Sequence, residues 1–86
     1  MNKHFEDTRY YLKRAVETAK HGVEEELEPI EERFREMTGN DEEPEPSRLD
    51  QIREDLEGLQ DRAEGEANEA IRNARERIKE YRQKAD

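Results

Sequence analysis

Two series of residues with helical spacing, all apolar except Thr8, run through the chain, and each series mirrors the other. The first extends from Phe5 to Met37 and the second from Leu49 to Tyr81, in steps of three or four residues. Such steps place side chains on one face of an α-helix. Read in opposite directions, the two series form ten pairs whose position numbers always sum to 86. The pairs are Phe5 with Tyr81, Thr8 with Ile78, Leu12 with Ala74, Val16 with Ala70, Ala19 with Ala67, Val23 with Ala63, Leu27 with Leu59, Ile30 with Leu56, Phe34 with Ile52 and Met37 with Leu49.

Two independent helices would have no reason to share this irregular spacing, whereas two helices that pack against each other must place facing residues in the same layers. The mirrored spacing therefore predicts an all-α fold: two long antiparallel helices that form a coiled-coil-like hairpin. We expect helices at about residues 3–38 and 47–84, each roughly 50 Å long at about 1.5 Å per residue. The acidic, proline-containing stretch at about 39–46 is expected to be the loop. Residues 1–86 would form a single domain.

The composition excludes several alternatives to an elongated helical protein. Apolar residues make up 29% of the chain and charged residues 48%, which is too little apolar material for a deep globular core. The chain has no cysteine, so it cannot form a disulfide framework or a thiolate metal site. No apolar run approaches the roughly 18 residues of a membrane span. We expect a soluble, cytoplasmic protein that does not act at a membrane.

The apolar residues outside the two series lie in the half of the hairpin that carries the chain termini. Tyr11, Ala15 and Ile71 are the most informative of these, because positions 15 and 71 also sum to 86 and thus share a layer. A helix with a wide apolar face packs against more than one neighbour. Tyr11, Ala15 and Ile71 are therefore a predicted interface with a second copy or another helical protein. A homodimer would complete a four-helix bundle.

Charge divides the chain into two unlike parts. Residues 22–65 carry 5 basic and 17 acidic side chains, whereas the remaining residues carry 11 basic and 8 acidic ones. Basic residues also recur on one face of the second helix, with Arg14 expected in the same layer; this predicted anion-contacting stripe comprises Arg14, Arg72, Arg75, Lys79 and Arg82. Beside Tyr10, Tyr11 and Tyr81 it could contact phosphates or stack on bases. Alternatively, these cations pair with Glu69, Glu76 and Glu80 and solvate the helix.

The side chains needed for catalysis are scarce. With no cysteine, and with its one serine, Ser47, expected to cap a helix, the chain has little to offer nucleophilic catalysis. Neither histidine has the Glu-x-x-His spacing of helical-bundle metal centres. His21 and the acidic loop at 41–45 are interpreted as solvated. We expect no enzyme activity, cofactor, metal or small-molecule substrate.

Two segments carry a resemblance to known sequences. They are the opening Met1-Asn2-Lys3-His4-Phe5-Glu6-Asp7-Thr8-Arg9-Tyr10-Tyr11-Leu12-Lys13-Arg14-Ala15 and the central Glu42-Glu43-Pro44-Glu45-Pro46-Ser47-Arg48-Leu49-Asp50. Over its whole length the chain resembles a family of short, acidic, uncharacterised haloarchaeal proteins. This resemblance implies a salt-adapted surface, in keeping with 11 Arg against 5 Lys and a net charge of -9, and assigns no role to any residue.

Together these features favour a non-catalytic interaction or scaffolding protein of a salt-adapted cytoplasm. The alternative is a nucleic-acid-associated factor that uses the basic stripe and the tyrosines. The overall acidity makes nucleic acid the weaker of the two partners, because binding to it depends on positive charge.

Overall fold

Four α-helices make up the structure, a computed structural model that describes residues 3–39 and 44–85, with side chains described as far as residue 83. Each helix is connected to the next by a short segment, and the described residues contain no strand. The helices are α1, Lys3–Thr18; α2, His21–Thr38; α3, Pro46–Gln60; and α4, Gly65–Ala85.

The all-α class is confirmed, but the prediction of two long helices is wrong. The first predicted helix is interrupted at residues 19–20 and the second at residues 61–64. The hairpin is thereby folded in half, so that one chain forms a four-helix bundle without a second copy. Its dimensions are 33 × 21 × 19 Å, so it is shorter than a hairpin with helices of roughly 50 Å.

The helices form a closed ring in which each contacts two others. Helix α1 packs against α2 and α4, and α3 also packs against α2 and α4. The diagonal pairs, α1 with α3 and α2 with α4, have no Cα atoms within 8 Å of each other among the described residues. The pairings of α1 with α4 and of α2 with α3 preserve the antiparallel arrangement of the predicted hairpin.

Both interruptions have local causes. Lys20 adopts an extended conformation, with φ −69° and ψ 158°, which ends the helical path before α2. Gly65 has a φ of +61°, in the left-handed region that glycine adopts without a Cβ penalty. The side-chain amide of Asn68 donates hydrogen bonds to the carbonyl oxygens of Gln60 at 2.7 Å and Ala63 at 3.2 Å. These bonds satisfy carbonyls that the end of α3 leaves without helical partners.

The core consists of the residues of the two mirrored series together with Ala15 and Ile71. Every member of the ten pairs is buried or partly buried. The predicted register holds at Phe5 and Tyr81, whose ring centroids lie 4.5 Å apart. Folding in half adds contacts absent from a straight hairpin, such as the edge-to-face packing of Phe5 on Phe34 at 5.8 Å. Thr8, the polar member of the series, is fully buried and donates its hydroxyl to the carbonyl oxygen of His4.

The segment between α2 and α3 differs in detail from the sequence expectations. Gly39 lies in the expected loop and follows α2 in a right-handed conformation, with φ −75° and ψ −17°. Ser47 lies inside the first turn of α3, which begins at Pro46, and the capping position is held by Glu45. Most of the acidic loop, residues 41–43, lies outside the described residues.

Candidate anion-binding groove

Four of the five residues in the predicted anion-contacting stripe lie together in the structure. Arg72, Arg75, Lys79 and Arg82 project from α4 beside the groove between α3 and α4, called the α3–α4 groove below. Their spacing of three and four residues keeps them on one helical face, as the sequence predicted. Asp50 and Arg82 line one end of this groove, its outer end.

Arg14, the fifth predicted member, lies elsewhere. Its guanidinium is 3.3 Å from the carboxylate of Glu66, an exposed ion pair between α1 and α4. Positions 14 and 72 sum to 86, so the sequence places Arg14 and Arg72 in the same layer. A shared layer does not determine the side of the bundle on which each side chain lies. The structure therefore separates Arg14 from the four cations on α4.

Arg53 faces the four α4 cations from α3, and the sequence reasoning did not include it. The inner end of the groove is lined by Arg53, Arg72, Arg75 and Lys79 with Gln60, against a single carboxylate, that of Glu76. In the predicted hairpin Arg53 and Arg75 would be more than 20 residues apart along the rod, or roughly 30 Å at about 1.5 Å per residue. No sequence signal could place Arg53 in the groove without knowledge that the hairpin folds back.

Polar partners on α3 hold two of the α4 arginines in position. Arg82 donates from Nε and Nη2 to the two carboxylate oxygens of Asp50, at 3.2 and 3.3 Å. Such a two-pronged contact fixes the plane of the guanidinium. Arg75 donates from Nη1 to the side-chain oxygen of Gln60, and its Nη2 lies 3.7 Å from Glu57. Arg53 also pairs with Asp50, at 3.5 Å from Nη1. Carboxylates on α3 therefore partly neutralise Arg53, Arg75 and Arg82, whereas Arg72 and Lys79 have no such partner among the described residues.

Several donors in the groove lack partners. The Nε atoms of Arg53 and Arg75 are buried, and neither has a hydrogen-bond acceptor among the described residues. A buried N–H group without an acceptor costs about 1–3 kcal/mol. Arg72 and Lys79 are exposed, and no carboxylate in the described part of the chain lies within 4.0 Å of either. The groove thus combines net positive charge with unused donors.

The tyrosines proposed as base-stacking groups are not in this groove. Tyr81 packs its ring on Phe5 at the end of the core. The Arg77 guanidinium forms hydrogen bonds with the Tyr11 hydroxyl and with Glu80, which raise the pKa of Arg77 above its ordinary value. Tyr10 is 60% exposed and lines a different groove, between α1 and α2. The predicted combination of stripe and tyrosines is therefore not assembled.

The predicted interface residues pack into the core of the single chain. Ala15 and Ile71 are both fully buried, and Tyr11 is partly buried against the same core. The wide apolar face that suggested a second copy is covered by α2 and α3 of the same chain. Neither Ala15 nor Ile71 is accessible to a partner in this structure.

Each histidine lies close to a glutamate. His21 Nε2 lies 2.8 Å from Glu25 on the exposed side of α2, and His4 Nδ1 lies 3.9 Å from Glu80. Within residues 3–39 and 44–85 no three potential ligands from His, Cys, Asp and Glu come together in a metal-binding arrangement. In the same residues no helix has the length and apolarity needed to cross a membrane.

The chain belongs to a family of unknown function, DUF7553, whose sequence model matches residues 1–84. No curated protein and no solved structure matches the chain significantly. The family match covers α1 to α3, both interruptions and all of α4 except its last residue.

Proposed function

We propose that this chain is a non-catalytic interaction or scaffolding protein that binds an acidic helical segment of a partner in the α3–α4 groove. The observation that carries the proposal is the inner end of the groove, where Arg72 and Lys79 have no carboxylate partner among the described residues and the buried Nε atoms of Arg53 and Arg75 have no acceptor, in a chain with a net charge of -9. A positively charged groove on a protein that is acidic overall favours an acidic partner, because complementary charge steers association and fixes the register of binding.

The spacing of the cations supports a helical partner. Arg72, Arg75 and Lys79 follow one another at three and four residues, which is the spacing of side chains along one face of a second helix. An acidic helix laid in the groove would present carboxylates at matching intervals. It would also bring acceptors to Arg72 and Lys79, which have no ion-pair partner in the described structure.

Nucleic acid is the alternative, and it receives less support from this groove. Single-stranded nucleic acid is held by aromatic stacking as well as by cations, and the groove is lined by charged and amide side chains. The net charge of -9 also opposes binding that depends mainly on contacts with a phosphate backbone. The stripe alone would contact phosphates without reading bases.

The proposal is tested with two labelled probes at one fixed salt concentration. One is a helical peptide with glutamates three and four residues apart, and the other is a single-stranded oligonucleotide of equal charge. Fluorescence anisotropy should show binding of the peptide and a loss of affinity of about tenfold or more in Arg72→Ala/Lys79→Ala. The matched control is Lys3→Ala/Lys13→Ala, which removes the same charge from exposed positions of α1.

Three outcomes would contradict the binding of an acidic helix in the groove or favour nucleic acid instead. Equal losses in both double variants would mean that binding depends on net charge rather than on the groove, and would refute the proposal. Tighter binding of the oligonucleotide, lost in the same groove variant, would establish the nucleic-acid alternative. Absence of peptide binding at millimolar concentration would also refute the proposed partner class.

The proposed setting is a salt-adapted cytoplasm. This rests on the excess of acidic residues, on the use of 11 Arg against 5 Lys, and on the resemblance to haloarchaeal sequences. Excess surface charge keeps a protein soluble where salt screens repulsion between molecules. Under this proposal the chain works without a cofactor, metal or small-molecule substrate.

A further inference from the structure

The apolar series continues through both interruptions without a change of phase. The step of four from Ala19 to Val23 crosses the first break, and the two steps of four from Leu59 to Ala63 and Ala67 cross the second. Neither residues 19–20 nor residues 61–64 include a proline or a glycine. Both connections can therefore be accommodated in a continuous helix that keeps its apolar face in register.

The two breaks also lie next to each other in the structure. The Lys20 ammonium is 3.2 Å from the Glu64 carboxylate, which joins the two connections at one end of the bundle. If both connections became helical together, α1 would continue into α2 and α3 into α4. The chain would then be a straight hairpin whose helices extend roughly 50 Å.

We propose that this chain exchanges halves with a second copy to form a swapped dimer of two straight hairpins. The terminal half, α1 with α4, of one copy would pack on the loop half, α2 with α3, of the other, and the reciprocal contact would form at the opposite end. The pairings of α1 with α4 and of α2 with α3 remain within a chain. Those of α1 with α2 and of α3 with α4 are re-formed between chains.

The directions of the helices allow this exchange. In the bundle α1 runs antiparallel to both α2 and α4, as the contacts of Phe5 with Phe34 and with Tyr81 show. Two straight hairpins related by a two-fold axis and pointing in opposite directions reproduce the same four directions at each end. The contacts of Phe5 with Phe34 and of Asp50 with Arg82 would then join different chains.

In both the monomer and the swapped dimer, charge favours the packing of a terminal half against a loop half. The exchange places each terminal part, with 11 basic and 8 acidic side chains, against a central part with 5 basic and 17 acidic ones. Side-by-side packing of like halves would lose this complementarity. Because the monomer and the swapped dimer bury the same contacts, the balance between them is controlled by the two connections and by concentration.

Two residues stabilise only the bent form. Gly65 takes a left-handed conformation that has no counterpart inside a helix. Asn68 occupies the carbonyl oxygens of Gln60 and Ala63, which in a continuous helix would accept from the backbone N–H groups of Glu64 and Ala67. Changing either residue should weaken the bend without touching the core.

The first experiment compares Gly65→Ala/Asn68→Ala with Gly58→Ala, a control that raises helix propensity inside α3 with open space around the added methyl group. Each protein is refolded at high micromolar concentration and its mass is measured by light scattering. The hinge variant should dimerise with a dissociation constant at least about tenfold lower than that of the wild type, because each chain in the dimer is relieved of a strained residue. Gly58→Ala should match the wild type. A hinge variant that stays monomeric at millimolar concentration overturns the proposal.

The second experiment distinguishes exchange from ordinary association. The chain has no cysteine, so Lys3→Cys/Glu36→Cys can carry two spin labels at exposed positions, one in α1 and one at the end of α2. Labelled chains are diluted with unlabelled ones so that only distances within a chain are measured. In the monomer the labels lie at the same end of the bundle, whereas in the swapped dimer they should be roughly 50 Å apart. A dimer that keeps the short distance would overturn the proposal.

Discussion

The terminal half and the loop half build the same kind of helix pair from different side chains. Where α1 meets α4, small residues such as Ala67, Ala70 and Ala74 are buried, and Ala15 and Ile71 add a second apolar face. Where α2 meets α3, the buried residues are large, among them Phe34 and Leu56, and they form one narrow face. Small residues let helices approach closely and leave apolar surface for a further neighbour.

Charge separates the two halves in the same way. Helix α2 alone carries seven Glu against two Arg, whereas α4 carries six basic residues against four Glu. Contacts such as Asp50 with Arg82 and Glu57 with Arg75 join the halves across the α3–α4 groove. The comparison shows that a wide apolar helix face does not require a second molecule. In this chain the loop half covers the wide face of the terminal half.

Ile71→Glu is expected to have the largest effect, and it tests whether the wide face of the terminal half is core. A carboxylate placed at this fully buried position would have no partner, so unfolding should become easier by at least about 3 kcal/mol. Urea denaturation followed by circular dichroism measures the change. Arg72→Glu, one residue away and exposed, should alter the free energy of unfolding by less than about 0.5 kcal/mol. Retention of the full helical signal and stability by Ile71→Glu would place Ile71 on a surface.

Leu56→Ala addresses the loop half, where the large side chains carry the packing energy. Leu56 is fully buried, and its truncation should cost about 2–5 kcal/mol. Ala74→Gly, at an equally buried position of the terminal half, removes one methyl group and some helix propensity, and should cost about 1–2 kcal/mol. The same denaturation experiment compares them. A cost below about 1 kcal/mol for Leu56→Ala would mean that this layer is not a core.

The sequence could predict the helical faces, their register and the outer ends of the helices. These follow from spacing, which is a local property, and from the requirement that facing residues share a layer. The two interruptions could not be predicted in this way, because the apolar spacing passes through them unbroken. They depend on the relative stability of two conformations of the whole chain: a straight hairpin leaves Ile71 exposed, whereas a folded hairpin buries it.

The candidate site was predictable to the same extent. Spacing on one helix placed Arg72, Arg75, Lys79 and Arg82 together, and the structure agrees. Arg53 reaches them only because the hairpin folds back, which no spacing on α3 indicates. Arg14 was grouped with them on the basis of its layer, and a layer fixes the height in the bundle but not the side.

Salt should stabilise the fold, and the two halves should differ in how strongly they contribute. The loop half concentrates carboxylates on α2, and repulsion among them is screened within about 3 Å at 1 M salt. The melting temperature should therefore rise between low and molar salt. Glu28→Gln/Glu32→Gln, at exposed sites on α2, should reduce this rise, whereas Glu17→Gln/Glu69→Gln in the terminal half should change it less. A flat or falling melting temperature in the wild type would contradict the argument.

The smallest effect concerns a buried threonine in each half. Thr8 and Thr38 are both buried, and each donates its hydroxyl to the carbonyl oxygen four residues earlier, at 2.7 and 2.8 Å. In a helix that carbonyl also accepts from the backbone, so replacing the hydroxyl with a methyl group leaves no acceptor unsatisfied. Thr8→Val and Thr38→Val should each change the free energy of unfolding by less than about 1 kcal/mol, whereas Thr8→Ala should cost more because it leaves a void. If Thr8→Val were as costly as Leu56→Ala, the hydroxyl would have a further partner inside the terminal half, and the two halves would differ in polar bonding as well as in side-chain size.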